Sequence, residues 1–267
     1  RLVVHAIENV SSVVRTYGAD GTRLSDIPLP GTGVVQALLG DADSPRVALL
    51  YSGLLQSPVM LQHDLAKGTS RAHPATGAPD LSSFETRQEW FTSRDGTRVP
   101  MFVVARRGAP RDGRHAVILF GYGASGSSVL PSFREDAVAW LQMGGVYALA
   151  NVRGGNEFGN AWYRAATRER KQASFDDMIA AAEHLVATGW TVPRRLALMG
   201  ASNGGLLVTA TMVQRPELFG AVLADVPVTD AMRRHLAGNG LQAAEQWGMP
   251  QDADVFPALR AYSPLHN

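Results

Sequence analysis

One junction limits the folds open to this chain more than any other feature. In LMGASNGGLLV (198–208) a buried-looking apolar run ends in Gly200, Ser202 and Gly204, spaced Gly-x-Ser-x-Gly, and a helical pattern begins at once. A backbone that leaves a strand and enters a helix within so few residues must fold back sharply, and small residues beside the serine leave room for it. The pattern predicts a strand over RLALMG (195–200), a helix over NGGLLVTATMVQ with its stop at Pro216, and Ser202 on the turn between them. Spacing alone is weak in a chain with 27 glycines, so the strand before and the helix after carry the weight.

The rest of the second half agrees with that junction. QEWFTS and VPMFVVAR flank the turn RDGT (94–97) as an antiparallel pair, and HAVILFG (115–121), GGVYALANV (144–152) and GAVLADV (220–226) read as buried parallel strands. Between them a helix is predicted over 174–188. Ser174 stands as N-cap with Asp177 completing a capping box, Ile179, Ala182, Leu185 and Val186 form one apolar face, and Gly189 ends the run. Alternation of this kind implies a doubly wound, mostly parallel sheet with right-handed crossovers. Residues 1–80 have another texture: short apolar runs at close spacing, separated by turns such as ADG (19–21), DADSP (41–45) and KGTS (67–70). They read as antiparallel strands, fewer than eight, or roughly one and a half blades of a propeller. The expected division is 1–80, the incomplete end of a β-propeller, and 81–267, an α/β domain.

Composition removes several function classes. A formal charge of +1, with Lys and Arg scattered among nearly as many Asp and Glu, supplies no footprint for nucleic acid. The cluster RERK (168–171) is expected on a solvated helix or loop surface. With no cysteine there is no disulfide framework, thiolate metal site or cysteine nucleophile. No apolar run approaches the ~18 residues of a membrane span. A cytoplasmic location is expected ahead of a secreted or periplasmic one.

A serine on such a turn attacks carbonyl groups when donors wait for the oxygen that becomes negative. One donor is the backbone N–H of the next residue, Asn203; the other is expected from the loop after HAVILF, here GYGASGSS (121–128). Tyr122, between two glycines, either presents its hydroxyl to the site or packs its ring on the surface.

FGYGA, NVRGGNEFGNAWY, SFDDMIAAAEHLV, GASNGGLLVTATMVQRPELFGAVLADV and the closing YSPLHN resemble, in this order, the catalytic domain of the prolyl oligopeptidase family of serine peptidases. VVHAIENVSSVVRTYGADGTRLSDIPLP is similar to the end of that family's β-propeller. The resemblance implies an α/β-hydrolase fold, cleavage of short peptides after proline through an acyl-enzyme on Ser202, and an oxyanion hole of the Asn203 N–H and the Tyr122 hydroxyl. No metal or organic cofactor is implied. Oligopeptidase B, a relative, usually has Ala where Asn203 stands. Arg153 is expected to organise loops near the site, and Glu157 to serve as a structural partner for an Arg or a backbone N–H.

Two parts of the pattern are not met. A triad of this fold places an acid and then a histidine after the serine, each behind a later strand. His235, in the helical-looking TDAMRRHLAG, and His266, in SPLHN, do not lie behind such strands. The chain is therefore expected to be a fragment that lacks the triad Asp and His and is nearly inert alone. In the proline pocket of the family, Ser125 stands where a Phe is usual, Ala243 where a Trp is usual and Trp247 where a Tyr is usual, with Val228 as apolar wall. If the alignment slips in this region, Trp247 supplies the stacking face instead. The altered pocket leaves an esterase or acyl transferase, or a non-catalytic binding descendant, as alternatives. Oligomeric state is left open.

Overall fold

The computed structural model describes residues 1–238 and 240–267, and the side chains of all of these except 74, 242 and 243. Its contacts divide the chain into two units, 1–86 with 130–139 and 87–129 with 140–267.

In the first unit β1 (Leu2–Glu8), β2 (Ser11–Tyr17) and β3 (Arg23–Ile27) form one antiparallel sheet. A second contains β4 (Val34–Gly40), β5 (Arg46–Gly53), β6 (Gln56–Asp64) and β7 (Thr69–Pro74) in sequential order. Alternation decides which side is covered: Val47, Leu49 and Tyr51 of β5 are buried, as are their neighbours Val59 and Leu61 of β6. These join Val14, Ile27 and Val35 in a single apolar cluster. Four strands in sequential order and three beside them match the propeller-like spacing of the sequence.

The second unit holds a six-stranded sheet. β8 (Phe84–Thr92) and β9 (Arg98–Arg106) lead into β10 (Val117–Phe120); α1 (Glu135–Gln142), most of which belongs to the first unit, comes next in the chain, and then β11 (Val146–Ala150), α2 (Asn160–Arg164) and α3 (Gln172–Ala187). Then come β12 (Leu196–Ala201), α4 (Asn203–Gln214), β13 (Ala221–Asp225), α5 (Gly240–Trp247) and α6 (Phe256–Tyr262). The strand order is β13-β12-β10-β11-β9-β8; β10 runs parallel to β11 and β12, β12 parallel to β13, and β9 antiparallel to β11. β9, β10 and β11 are apolar along nearly their whole length because both faces of the sheet are covered, and their side chains form the core with α3 and α4.

The expected capping box on α3 is not formed. The helix begins at Gln172, so Ser174 and Asp177 lie inside it, and both are fully buried with partners on neighbouring loops. Its C-terminus is as expected: Gly189 adopts φ +78°, its N–H reaches the Val186 carbonyl and the Trp190 N–H reaches that of Leu185. The helix also rotates relative to the expected face, burying Met178, Ala181, Ala182 and Leu185 while Ile179 and Val186 are half-covered. RERK needs a correction too. Glu169 and Arg170 are exposed and Arg168 half-buried, but Lys171 is 2% exposed.

Candidate active site

Topology creates the crevice. β10 lies between β11 and β12; the chain leaves β10 toward β11 on one side and, after β12, crosses toward β13 on the other. Connections that part in opposite directions open a gap at the carboxyl ends of the two central strands, where such sheets bind ligands. Phe120 is level with Met199, so the loop after β10 and the turn after β12 start side by side.

Ser202 is that turn. Its backbone has φ 56° and ψ −115°, a region costing a residue with a Cβ roughly 1–3 kcal/mol. The Ser202 N–H donates to the Asp225 carbonyl, and the Ser202 carbonyl accepts from Leu206 N–H in the first turn of α4. The flanking glycines are sterically required: a Cβ on Gly200 would lie 2.3 Å from the Gly204 carbonyl oxygen, and one on Gly204 2.8 Å from that of Gly121. Gly204 is also the surface on which Tyr122 packs, its ring 3.3 Å from where such a Cβ would stand. Ser202 itself is exposed.

Tyr122, Ser202 and Asn203 line one cavity of about 410 Å³. Ser125, Val228 and Trp247 complete the set anticipated for the pocket, and Tyr163, Arg234, Glu245 and Gln246 line it as well. Ser125, at φ +60°, is committed to a polar network: its N–H and Oγ both donate to Gln246 Oε1, at 3.1 and 3.0 Å, and Asn203 Nδ2 donates to Ser125 Oγ. Because a backbone N–H can only donate, the oxygen of the Gln246 amide must face Ser125. Gln246 Nε2 and Trp247 Nε1 are then buried donors without partners among the described residues. Trp247 is 2% exposed, with the Arg234 guanidinium 5.8 Å from its ring centroid, so it closes the wall without presenting an open ring face. The side chain of Ala243 lies outside the described residues. Tyr163, Arg234 and Gln246 are lining residues that sequence reasoning does not find, and no local signal points to Gln246, since its partner is 121 positions away.

Among the described residues nothing hydrogen-bonds Ser202 Oγ as a base. His235 sits in a short 3-10 turn, not in the longer helix expected there, and His266 Nδ1 is paired with Ser263 Oγ at 2.9 Å. No group of three or more metal-ligating side chains is found among the described residues, and no helix there is long and apolar enough to cross a membrane.

Beneath the Tyr122 loop lies a charged, buried layer. The Arg153 guanidinium, 5% exposed, pairs with Asp177 at 2.7 Å and Asp95 at 2.5 Å and also donates to Ser93 and Thr97. Its own N–H donates to Asp177 Oδ2, so Asp177 holds both ends of the residue. Arg153 thus ties β11's loop to α3 and to the β8–β9 turn, the organising role expected of it. Its hydrogen bonds hold the Asp95 carboxyl down to about 2. Glu157 accepts the Val129 N–H at 2.8 Å, which is the structural partnership anticipated. Burial pushes its carboxyl up to about 7, and Oε2 and the nearby Asn151 Oδ1 have no other partner among the described residues. A protonated carboxyl is the form that suits this site, since it carries a donor.

A strained serine at a strand-to-helix turn, beside a glycine-flanked loop at the switch point of a mostly parallel sheet, defines an α/β-hydrolase. Residues 131–267 match the prolyl oligopeptidase family, and the chain belongs to it. The prolyl endopeptidase of Elizabethkingia miricola is 32% identical over 263 residues, which is 98% of this chain and 37% of that protein. Prolyl oligopeptidase B from Galerina marginata, solved with a 35-residue hydrolysis and macrocyclization substrate, superposes with a TM-score of 0.93 at 31% identity over 99% of this chain and 38% of that one. A post-proline cleaving enzyme from Rickettsia typhi gives 0.88 at 29% identity, covering 99% of this chain and 39% of its own. The chain therefore spans little more than a third of the relatives it matches.

Proposed function

We propose that these 267 residues carry the nucleophile half of a serine oligopeptidase that cleaves short peptides after proline. In this reading residues 1–80 are the end of a propeller, 81–267 belong to the catalytic domain, and the triad Asp and His are supplied by a further stretch of the same polypeptide. The observation that carries the proposal is the Ser202 turn: a serine forced into a left-handed conformation, exposed, and sharing a cavity with Tyr122 and Asn203. Ser202 Oγ attacks the scissile carbonyl as the base takes its proton, and the Asn203 N–H and Tyr122 O–H receive the oxyanion. The amine leaves with that proton, and water releases the acyl group. Val228 and Trp247 are assigned to the wall for the proline ring, with Ser125 at its polar edge. Among the relatives, Galerina prolyl oligopeptidase B has been solved bound to substrates as variants in which one serine, aspartate or histidine is replaced by alanine, which supports a triad of these types.

The test uses the full-length protein. Matched peptide and ester substrates with proline before the scissile bond are expected both to turn over, and a fluorophosphonate to label one serine stoichiometrically. Ester turnover without cleavage after proline would replace the peptidase with an acyl-transfer enzyme. Absence of both labelling and turnover would leave a binding descendant.

A further inference from the structure

Lys171 is the one member of RERK that is buried, and it is buried against the loop that carries Tyr122. Its Nζ donates to the Gly123 carbonyl at 2.5 Å and to Ser174 Oγ at 3.0 Å. Ser174 Oγ in turn donates to the Arg153 carbonyl at 2.7 Å. A neutral amine has two N–H donors, and two acceptors are present. No carboxylate among the described residues hydrogen-bonds it: Asp177, on the helix that starts just after Lys171, is occupied by Arg153, the charged group on the facing loop. The Phe175 ring lies 5.8 Å away. Burial pushes the Lys171 amine down to about 7, in keeping with that count.

What the amine holds is a strained point. Gly123 has φ +60°, and a Cβ there would stand 2.6 Å from Val152 Cγ2. On its other side the Gly123 carbonyl oxygen is so close to Gly154 that a Cβ there would meet it at 2.1 Å. The carbonyl is thus clamped between a backbone and a lysine, immediately after Tyr122.

We propose that Lys171, through the Gly123 carbonyl, is a positioning residue that fixes Tyr122 for oxyanion binding beside Ser202. This rests on the acyl-transfer reading of the site. In the full-length enzyme, Lys171→Met keeps the length and burial of the side chain and removes its donors. With a proline substrate, kcat is expected to fall about tenfold or more while KM stays within about twofold, because the lost alignment matters only in the transition state. The unfolding temperature is expected to hold or rise, since a buried amine gives way to an apolar chain.

A double-mutant cycle separates positioning from a general effect. If Lys171 acts through the tyrosine hydroxyl, Lys171→Met adds little in a Tyr122→Phe background. An unchanged kcat in Lys171→Met, or full additivity with Tyr122→Phe, overturns the proposal while leaving the peptidase reading intact. No turnover and no labelling of the unaltered enzyme would instead overturn that reading and this inference with it. If Lys171→Met does not fold, Ser174→Ala removes the hydroxyl that accepts from Lys171 and lies 3.2 Å from the Gly123 carbonyl, and is expected to give the same split between kcat and KM, in a smaller amount; an unchanged kcat there counts against the proposal.

Discussion

The two walls of the cavity beside Ser202 are held in different ways. On the elbow side, Gly200, Gly204 and Gly123 stand where backbone and side chains leave no space for a Cβ, and a buried layer of Arg153, Asp177, Lys171 and Glu157 lies underneath. On the pocket side, among the described residues, α5 meets the Tyr122 loop through the Gln246 amide, with buried donors left over on Gln246 and Trp247. Close-packed backbone has a single solution; a side-chain hydrogen bond has several. In the proposed reading the chemistry is thus fixed by steric exclusion, and specificity by a few exchangeable polar contacts.

The largest expected effect lies under the elbow wall. Asp177→Ala strips Arg153 of the partner that holds both its side chain and its N–H, leaving a buried cation, and should cost about 3–5 kcal/mol by denaturant unfolding. A loss under ~1 kcal/mol would mean that Asp95 alone suffices. Gly204→Ala comes next. The new methyl meets the Gly121 carbonyl at 2.8 Å, so the elbow and the Tyr122 loop must part; ~3 kcal/mol of stability and most of kcat should go together. Stability and kcat moving independently would show that the wall is less rigid than described.

Glu157→Gln tests the same layer through pH. The folded carboxyl is raised to about 7, so the native state holds its proton where the unfolded chain has lost it. Its contribution is complete below the unfolded value and is lost as pH rises through the folded one, a fall of roughly 3 kcal/mol across that window. The glutamine variant should lack this fall in thermal unfolding at a series of pH values, and an unchanged profile would place the titration elsewhere. The smallest effect belongs to the pocket wall. Gln246→Leu removes both an acceptor and an unpartnered donor, so stability should change by no more than ~1 kcal/mol while KM for proline substrates shifts and kcat does not. A collapse in kcat would merge the two walls into one.

Legibility in the sequence follows the same division. Ser202, both flanking glycines, the helix over 203–214 and the parallel strands are readable because strand, turn and helix are local and the constraint is steric. Ser174 and Asp177 read falsely as a cap since a Ser-x-x-Asp pattern is the same string whether it starts a helix or lies on its buried face. A deciding signal is nonetheless present: Lys171, Ser174, Met178, Ala181 and Leu185 recur at helical spacing, placing the lysine and the serine on the covered side. Gln246 has no such signal. Contacts across more than a hundred residues between a loop and a short helix leave no periodicity to read.

Tyr122 and Ser202 must act on one carbonyl group for the chemistry to run as described, and Tyr122→Phe in the full-length enzyme tests this most directly. The variant keeps the ring that packs on Gly204 and removes only the hydroxyl. With a proline substrate under saturating conditions, kcat should fall about 10²-fold or more with KM nearly unchanged. A kcat equal to that of the unaltered enzyme would show that the hydroxyl takes no part in holding the oxyanion.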